Sequence, residues 1–122
     1  ASARPPPAIE VRHSSETIKE AIMATLLQID FPFEGPWGEA MTQALSGLAA
    51  DIAAEEGFLW KIWTENPAER RAGGIYLFAD AKNAARYAEK HSARLKGFGI
   101  AEIACRSFAV NPTLSAITRA TL

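Results

Sequence analysis

Runs of β-forming residues and stretches of helical apolar spacing alternate along the chain and predict six elements. Four runs, bounded by proline, glycine and turn residues, predict strands: Ala24 to Phe31, Gly57 to Glu65, Gly73 to Ala79 and Ile100 to Val110. Apolar residues recur at helical spacing from Pro36 to Glu56 and again from Asp80 to Gly97. The resulting order, βαββαβ, predicts an α+β, ferredoxin-like fold in which two helices cover one face of a four-stranded antiparallel sheet.

The central predicted strands carry apolar residues on both faces. On the second strand, regular alternation places Leu59 and Trp63 on one face and Trp60 on the other. A monomer rarely leaves so much apolar surface in water. We therefore expect a homodimer that packs sheet against sheet, with Trp63 as the interface anchor. Three residues are expected to supply polar contacts there: Gln28, Lys61 and Arg106.

The first 22 residues differ from the rest of the chain. Ala1 to Ala8 is rich in proline and has no apolar periodicity, so we expect it to be loose. Ile9 to Ile22 is compatible with a short helix capped by Ser14 or Ser15. The sequence therefore predicts an N-terminal extension, natural or left over from expression, at 1–22 and a folded domain at 23–122.

Composition limits the classes of partner. With a formal charge of -1 at pH 7, the chain has no positive field that would gather nucleic acid or an anionic membrane surface. Its apolar stretches are far shorter than the roughly 20 residues that cross a bilayer. Cys105 is the only cysteine, which rules out an internal disulfide and a thiolate zinc cluster. A protein of this kind is expected in a reducing compartment, the cytoplasm.

Several of the predicted elements have distinctive sequences: ATLLQIDFPFEGPWGEAM, GFLWKIWTE, AGGIYLFAD, AEKHSARLKGFG and VNPTLSAI. From Met23 to Leu122, about four fifths of the chain, they resemble in the same order the YdhR family of monooxygenases. That family belongs to the dimeric α+β barrel superfamily and is related to the antibiotic-biosynthesis monooxygenases. The resemblance implies a homodimer whose two sheets form a barrel. It also implies a hydrophobic cleft for a polycyclic or hydroquinone-like aromatic substrate, with O2 as the oxidant and no flavin, haem or metal.

The residues themselves are compatible with that chemistry. The chain contains no G-x-G-x-x-G or Walker loop, and its two histidines, His13 and His91, lie in different segments. The sequence therefore predicts no cofactor and no metal. An electron-rich aromatic molecule that has lost a proton can pass an electron directly to O2. Its enzyme needs an apolar pocket, a base and donors that stabilise the anion.

His91 is the predicted base. It shares a helical stripe with Ala88 and Leu95, so it should point toward the sheet, and its usual pKa near 6.5 suits proton abstraction. Trp60 and Tyr76 are the other predicted catalytic residues, placed on adjacent strands around one cleft. The alternative for each of the three is a purely structural role in the core or an interface. Four further residues are predicted to bind the substrate: Trp37, Phe58, Phe78 and Tyr87.

Two other functions remain open at the level of sequence. Haem-degrading monooxygenases share the barrel, and His91 is a possible axial ligand of haem iron. That group, however, has an asparagine on its first strand, where this chain offers Gln28. The second alternative is a non-catalytic ligand-binding or sensor module, for which the same apolar cleft would serve.

Overall fold

The computed structural model describes residues 23–122, which form one antiparallel sheet and three helices. The strands are β1 (Thr25–Pro32), β2 (Phe58–Asn66), β3 (Arg71–Phe78) and β4 (Ala104–Ala109). The helices are α1 (Gly38–Ala53), α2 (Ala81–Gly97) and α3 (Pro112–Ile117). The spatial order β2-β3-β1-β4 with all-antiparallel pairing confirms the predicted ferredoxin-like α+β fold. The predictions for Ala1 to Ile22 lie outside the described residues.

The structure differs from the predicted elements at several points, among them the starts of α1 and β4 and an additional helix near the C-terminus. Helix α1 begins at Gly38, two residues later than Pro36. Strand β4 begins at Ala104, because Gly99 and Glu102 have positive φ angles of 88° and 55° that interrupt an extended chain. Helix α3 was not predicted. Its start is marked by an asparagine before a proline, and the Asn111 side chain accepts a hydrogen bond from the backbone N–H of Leu114.

A β-bulge at Leu59 decides which side chains share a face of the sheet. Across β2 and β3, Lys61 pairs with Tyr76 and Trp60 pairs with Leu77, but the register shifts between Phe58 and Trp60. Directly paired residues point to the same face, so Lys61 lies with Tyr76, and Trp60 lies on the opposite side. We call the side that carries Tyr76 the helix face and the other side the outer face.

The hydrophobic core lies between the helix face and the two long helices. Helix α2 presents a buried stripe, as its spacing predicts, and its N-terminus is capped by the Asp80 side chain, which accepts a hydrogen bond from the N–H of Asn83. The fully buried side chains of this layer include Leu27, Ile29, Ile52, Phe78 and Tyr87. The same layer holds one buried imidazole, that of His91.

The outer face is partly covered by the C-terminal segment. Trp60 on β2 donates a hydrogen bond from Nε1 to the backbone oxygen of Thr121, 2.8 Å away. Ile62 and Phe108 stay 55% and 46% exposed on this face. Trp63 lies instead on the helix face, so the prediction of Trp63 as the anchor of a sheet-to-sheet interface is wrong. Within 23–122, no helix has the length and apolar character that crossing a membrane requires.

Candidate functional site

An apolar cavity of about 60 Å³ lies between the helix face, α1 and α2. It is several times larger than the smallest space that holds one water molecule. Its apolar walls come from several elements and include Phe31, Met41, Leu45, Trp63 and Leu95. Three polar side chains also line it: Lys61, Tyr76 and His91. The sequence-predicted pair of His91 and Tyr76 is therefore brought together in one place.

A second, more open groove of about 300 Å³ lies next to this cavity, between α1 and β2. The two spaces share Met41, Leu45 and Trp63 as lining residues. The groove adds polar groups from Thr42 and Glu65. The groove and the cavity therefore adjoin one another at Trp63.

His91 is held as a neutral imidazole. Its side chain is 2% exposed and stacks on the ring of Tyr87, with 5.1 Å between the ring centroids. Two nitrogens of Arg94 lie 3.2 and 3.0 Å from Nδ1. A guanidinium can only donate, so Nδ1 accepts, and the ring proton of neutral His91 belongs to Nε2.

This environment argues against His91 as the base. Burial lowers the pKa of His91 to about 3, and the positive charges of Arg94 and Lys61 lower it further in the same direction. Nδ1, the one nitrogen with a lone pair, is occupied by Arg94. The expectation of a pKa suited to proton abstraction near neutrality is corrected: His91 enters the cavity as a hydrogen-bond donor through Nε2–H.

Lys61 lies on the helix face and not on the dimer face that the sequence predicts. Its Nζ lies 3.3 Å from the centroid of the Trp63 ring and 4.5 Å from that of Tyr76. Burial, and then the positive charge of Arg94, lower the pKa of Lys61 to about 7. Regular alternation assigned Lys61 to the dimer face. A lysine in the middle of an apolar strand was the available signal, because lysine is almost never buried without a specific reason.

Gly74 makes room for the Lys61 side chain. It pairs with Trp63 across β2 and β3, and a Cβ at this position would overlap Cε of Lys61 and press on the ring of Tyr76. The second glycine of the Gly73-Gly74 pair is thus required by close packing over the strand. Because Gly74 has no side chain, the aliphatic part of the Lys61 side chain can cross β3 toward the cavity.

Both tyrosines near the site stay protonated. Burial raises the pKa of Tyr76 far above its usual value and that of Tyr87 to about 12. Tyr76 lines the cavity, whereas Tyr87 lies behind it, with its ring centroid 5.1 Å from those of Tyr76 and His91. The Tyr87 hydroxyl is close to Tyr76 and Arg94 but makes no hydrogen bond of normal geometry among the described residues.

The remaining predicted site residues do not line the cavity. Trp60 lies on the outer face, so the prediction that it bounds one cleft with Tyr76 is wrong. Phe58 and Phe78 pack edge to face in the core, with 5.8 Å between ring centroids. Trp37 packs against Phe33, which does line the cavity. Trp37, Phe78 and Tyr87 therefore pack behind residues that line the cavity.

The charges around the cavity favour a neutral or anionic ligand. No carboxylate of the described part of the chain lines it, and the nearest positive groups there are Lys61 and Arg94, of which Arg94 is paired with Asp51. Across 23–122, no group of three or more His, Cys, Asp or Glu residues is arranged to hold a metal ion. The polar side chains at the cavity therefore supply donors, and an anion that forms there would be stabilised.

Comparison with known proteins gives one match. The family model described as "Putative mono-oxygenase ydhR" matches residues 26–121, more than three quarters of the chain. The matched range contains Lys61, Tyr76 and His91. A search of curated proteins found no significant match.

Proposed function

Because the chain belongs to the YdhR mono-oxygenase family, we propose that it oxygenates an electron-rich aromatic small molecule with O2. The substrate class is polycyclic or hydroquinone-like, as in anthrones. The observation that carries this proposal is the apolar groove of about 300 Å³ that adjoins the smaller cavity, where the polar groups of Lys61, Tyr76 and His91 are gathered beside Trp63. The apolar walls of the groove bind the aromatic ring system, and the polar groups of the cavity meet its oxygen substituent.

The reaction needs an anion of the substrate. An anthrone-type CH2 group loses one proton, and the resulting anion gives one electron to O2. The radical and superoxide then combine into a peroxide anion, which takes up a proton. Loss of water converts the hydroperoxide into a carbonyl, so that one oxygen atom enters the product and the other leaves as water. All the electrons come from the substrate, so we propose that no flavin, haem or metal takes part.

The side chains of the site support these steps in different ways. Nε2–H of His91 and the hydroxyl of Tyr76 are donors for the oxygen on which negative charge develops. The apolar wall from α1 excludes water, which strengthens those contacts and protects the peroxide. Trp63 offers a large aromatic surface at the mouth between groove and cavity.

The test is O2-dependent turnover. The wild-type protein is incubated with an anthrone and with a hydroquinone under air and under argon, and incorporation of heavy-isotope oxygen into the product is measured. Leu48→Trp places a large ring in the cavity wall and should abolish turnover, whereas Gln43→Trp, on the exposed side of α1, should keep it. Equal product formation under argon, or equal rates in the two variants, would contradict the proposal.

The two alternatives have weaker support from the geometry. An axial haem ligand needs an imidazole nitrogen with a free lone pair, but in His91 Nδ1 accepts from Arg94 and Nε2 carries the proton, and a cavity of about 60 Å³ has no room for a haem. A titration with haem that shifts the Soret band of one equivalent per chain would restore that alternative. Tight binding of an anthrone without any O2 uptake would instead favour the sensor module.

A further inference from the structure

Among the residues that the structure describes, the cavity contains one group with a lone pair that is available to take a proton. The Nδ1 lone pair of His91 is engaged by Arg94, and the hydroxyl of Tyr76 is held protonated by burial. No carboxylate of residues 23–122 lines the cavity. Within this part of the chain, the amine of Lys61 remains.

We propose that Lys61 is the catalytic base, which takes the proton from an aromatic substrate that is bound in the groove and reaches the cavity with its reacting edge. This inference rests on the proposed function. It is carried by the position of Lys61, which lines the cavity with His91 and whose Nζ lies on the face of the Trp63 ring. A substrate ring that enters past Trp63 therefore meets this amine.

The surroundings of Lys61 keep a large fraction of it as the free amine. Tyr76 faces it from β3, and His91 and Arg94 face it from α2, while α1 contributes only apolar side chains such as Met41. Among the described residues no carboxylate forms an ion pair with it. With burial and the charge of Arg94 holding its pKa near 7, Lys61 is matched to work at neutral pH.

Glu65 lies on the same face of β2, two side chains further along, but it is engaged elsewhere. Its Oε1 accepts a hydrogen bond from the backbone N–H of Gly38 at the start of α1, 2.9 Å away. It therefore caps the helix and does not serve as the counter-charge of Lys61. The substrate anion itself becomes the partner of the ammonium.

Lys61 takes up one proton from the substrate and returns it later in the reaction. The O–H or C–H bond of the substrate breaks, its electron pair stays on the substrate, and the proton forms a new N–H bond with the Nζ lone pair of Lys61. The ammonium then faces the anion, and the Trp63 ring stabilises it by a cation–π contact. After O2 has accepted an electron and the C–O bond has formed, the ammonium returns this proton to the peroxide anion. Lys61 is then an amine again.

The first test does not depend on turnover. The wild-type protein is prepared with isotope-labelled lysine, and the titration of each lysine is followed by NMR; the Lys61 signal is the one that disappears in Lys61→Met. We expect it to titrate near pH 7. Titration near the ordinary lysine value would overturn the proposal.

The second test uses para-nitrophenol as a probe, because its phenolate has a distinct visible absorbance. Bound to the wild-type protein, it should be ionised at a pH where the free probe is neutral, and Lys61→Met should lose this effect. Lys82→Met, which removes an exposed lysine of α2, should retain it. A probe that stays neutral on the wild-type protein would count against proton uptake by Lys61.

Turnover separates a base from a mere positive charge. With an anthrone, Lys61→Met should be slower by about 100-fold or more, the usual lower range for loss of a general base. Lys61→Arg keeps the charge but has no lone pair to offer, so it should be slow as well, and the rise of wild-type kcat/KM through pH 7 should disappear. A Lys61→Arg variant with the wild-type rate and pH profile would overturn the proposal.

The results distinguish this inference from the function on which it rests. If wild type and Lys61→Met oxygenate the substrate equally well, the base assignment fails and the oxygenase stands. If wild type takes up no O2, while Lys61 titrates near pH 7 and ionises the bound phenol, the oxygenase fails and the proton acceptor stands.

Discussion

At His91, burial reverses the chemistry that the residue type suggests. Its imidazole is closed off from water by Tyr87 and faces the positive charges of Arg94 and Lys61, so protonation is strongly disfavoured in the folded protein. An unfolded chain would accept a proton near pH 6.5. The difference between the two states links this side chain to the stability of the fold.

The prediction concerns acid stability. Between pH 6.5 and about 3 the unfolded state binds a proton on His91 that the folded state refuses. The free energy of unfolding should therefore fall as the pH decreases through this window, by up to about 1.4 kcal/mol per pH unit for this residue. Urea unfolding of wild type and His91→Gln checks it: their difference should be constant above pH 7 and shift in favour of the variant below pH 6. A constant difference throughout would show that His91 titrates normally.

Tyr87 carries a buried hydroxyl that has no hydrogen-bond partner among residues 23–122. Tyr87→Phe removes this hydroxyl without breaking a hydrogen bond. The substitution should therefore change the free energy of unfolding by less than about 1 kcal/mol. Chemical denaturation at pH 7 measures it. A loss above about 2 kcal/mol would mean that the hydroxyl is hydrogen-bonded in solution.

Among the elements, β2 shows which structural features a sequence pattern predicts and which it does not. Its existence, length and pairing with β3 follow from β-forming residues and the Asn66-Pro67 turn, and the structure confirms them. The bulge at Leu59 does not follow, because one extra residue leaves the composition of the strand unchanged. The bulge nevertheless reverses the alternation of β2, so that side chains after Leu59 lie on the opposite face from the one that regular alternation predicts.

This single irregularity accounts for the main error about the site. Counting from Phe58, alternation puts Trp60 on the helix face and Lys61 and Trp63 on the outer one, and the structure shows the reverse. His91 was placed correctly, because helix α2 is regular and its stripe is clear. The protonation state of His91 does not follow from the sequence, because its burial and its contact with Arg94 depend on tertiary packing.

Helix α1 depends on a residue from another element for its N-terminal cap. Trp37, at the cap position, supplies no side-chain hydrogen bond, and Glu65 of β2 accepts from the N–H of Gly38 instead. Glu65→Ala should lower the free energy of unfolding by about 1 kcal/mol, the usual effect of losing a cap. Glu65→Gln keeps an acceptor and should cost less. Thermal denaturation compares these with Glu69→Ala in the exposed turn, which should behave like wild type; equal effects of Glu65→Ala and Glu69→Ala would contradict the assignment.

At the scale of the whole molecule, the two faces of the sheet differ in what covers them. The helix face encloses the cavity, and the outer face keeps Ile62 on β2 and Phe108 on β4, the two edge strands, largely exposed. Apolar side chains gathered on a sheet face are typical of an interface. The homodimer expected from the sequence therefore remains a prediction, with its contact moved from Trp63 to this group.

Light scattering tests the dimer. The wild-type protein should have about twice the chain mass of 13.2 kDa at micromolar concentration, because sheet-to-sheet contacts of obligate dimers commonly bury about 2,000 Å² or more. Ile62→Asp should dissociate the dimer by placing an unpaired charge in the contact. Gln43→Asp, on the exposed side of α1, should leave it intact. A monomeric wild-type protein would disprove the prediction.

The contact of Lys61 with Trp63 has an optical consequence. Fluorescence emission of an indole responds to a charge close to its ring, and Nζ of Lys61 is 3.3 Å from the Trp63 centroid. Trp37 and Trp60 lie elsewhere and provide a constant background. The unlabelled protein therefore carries its own reporter, whose colour and intensity follow the protonation of the amine and the arrival of a ligand beside it.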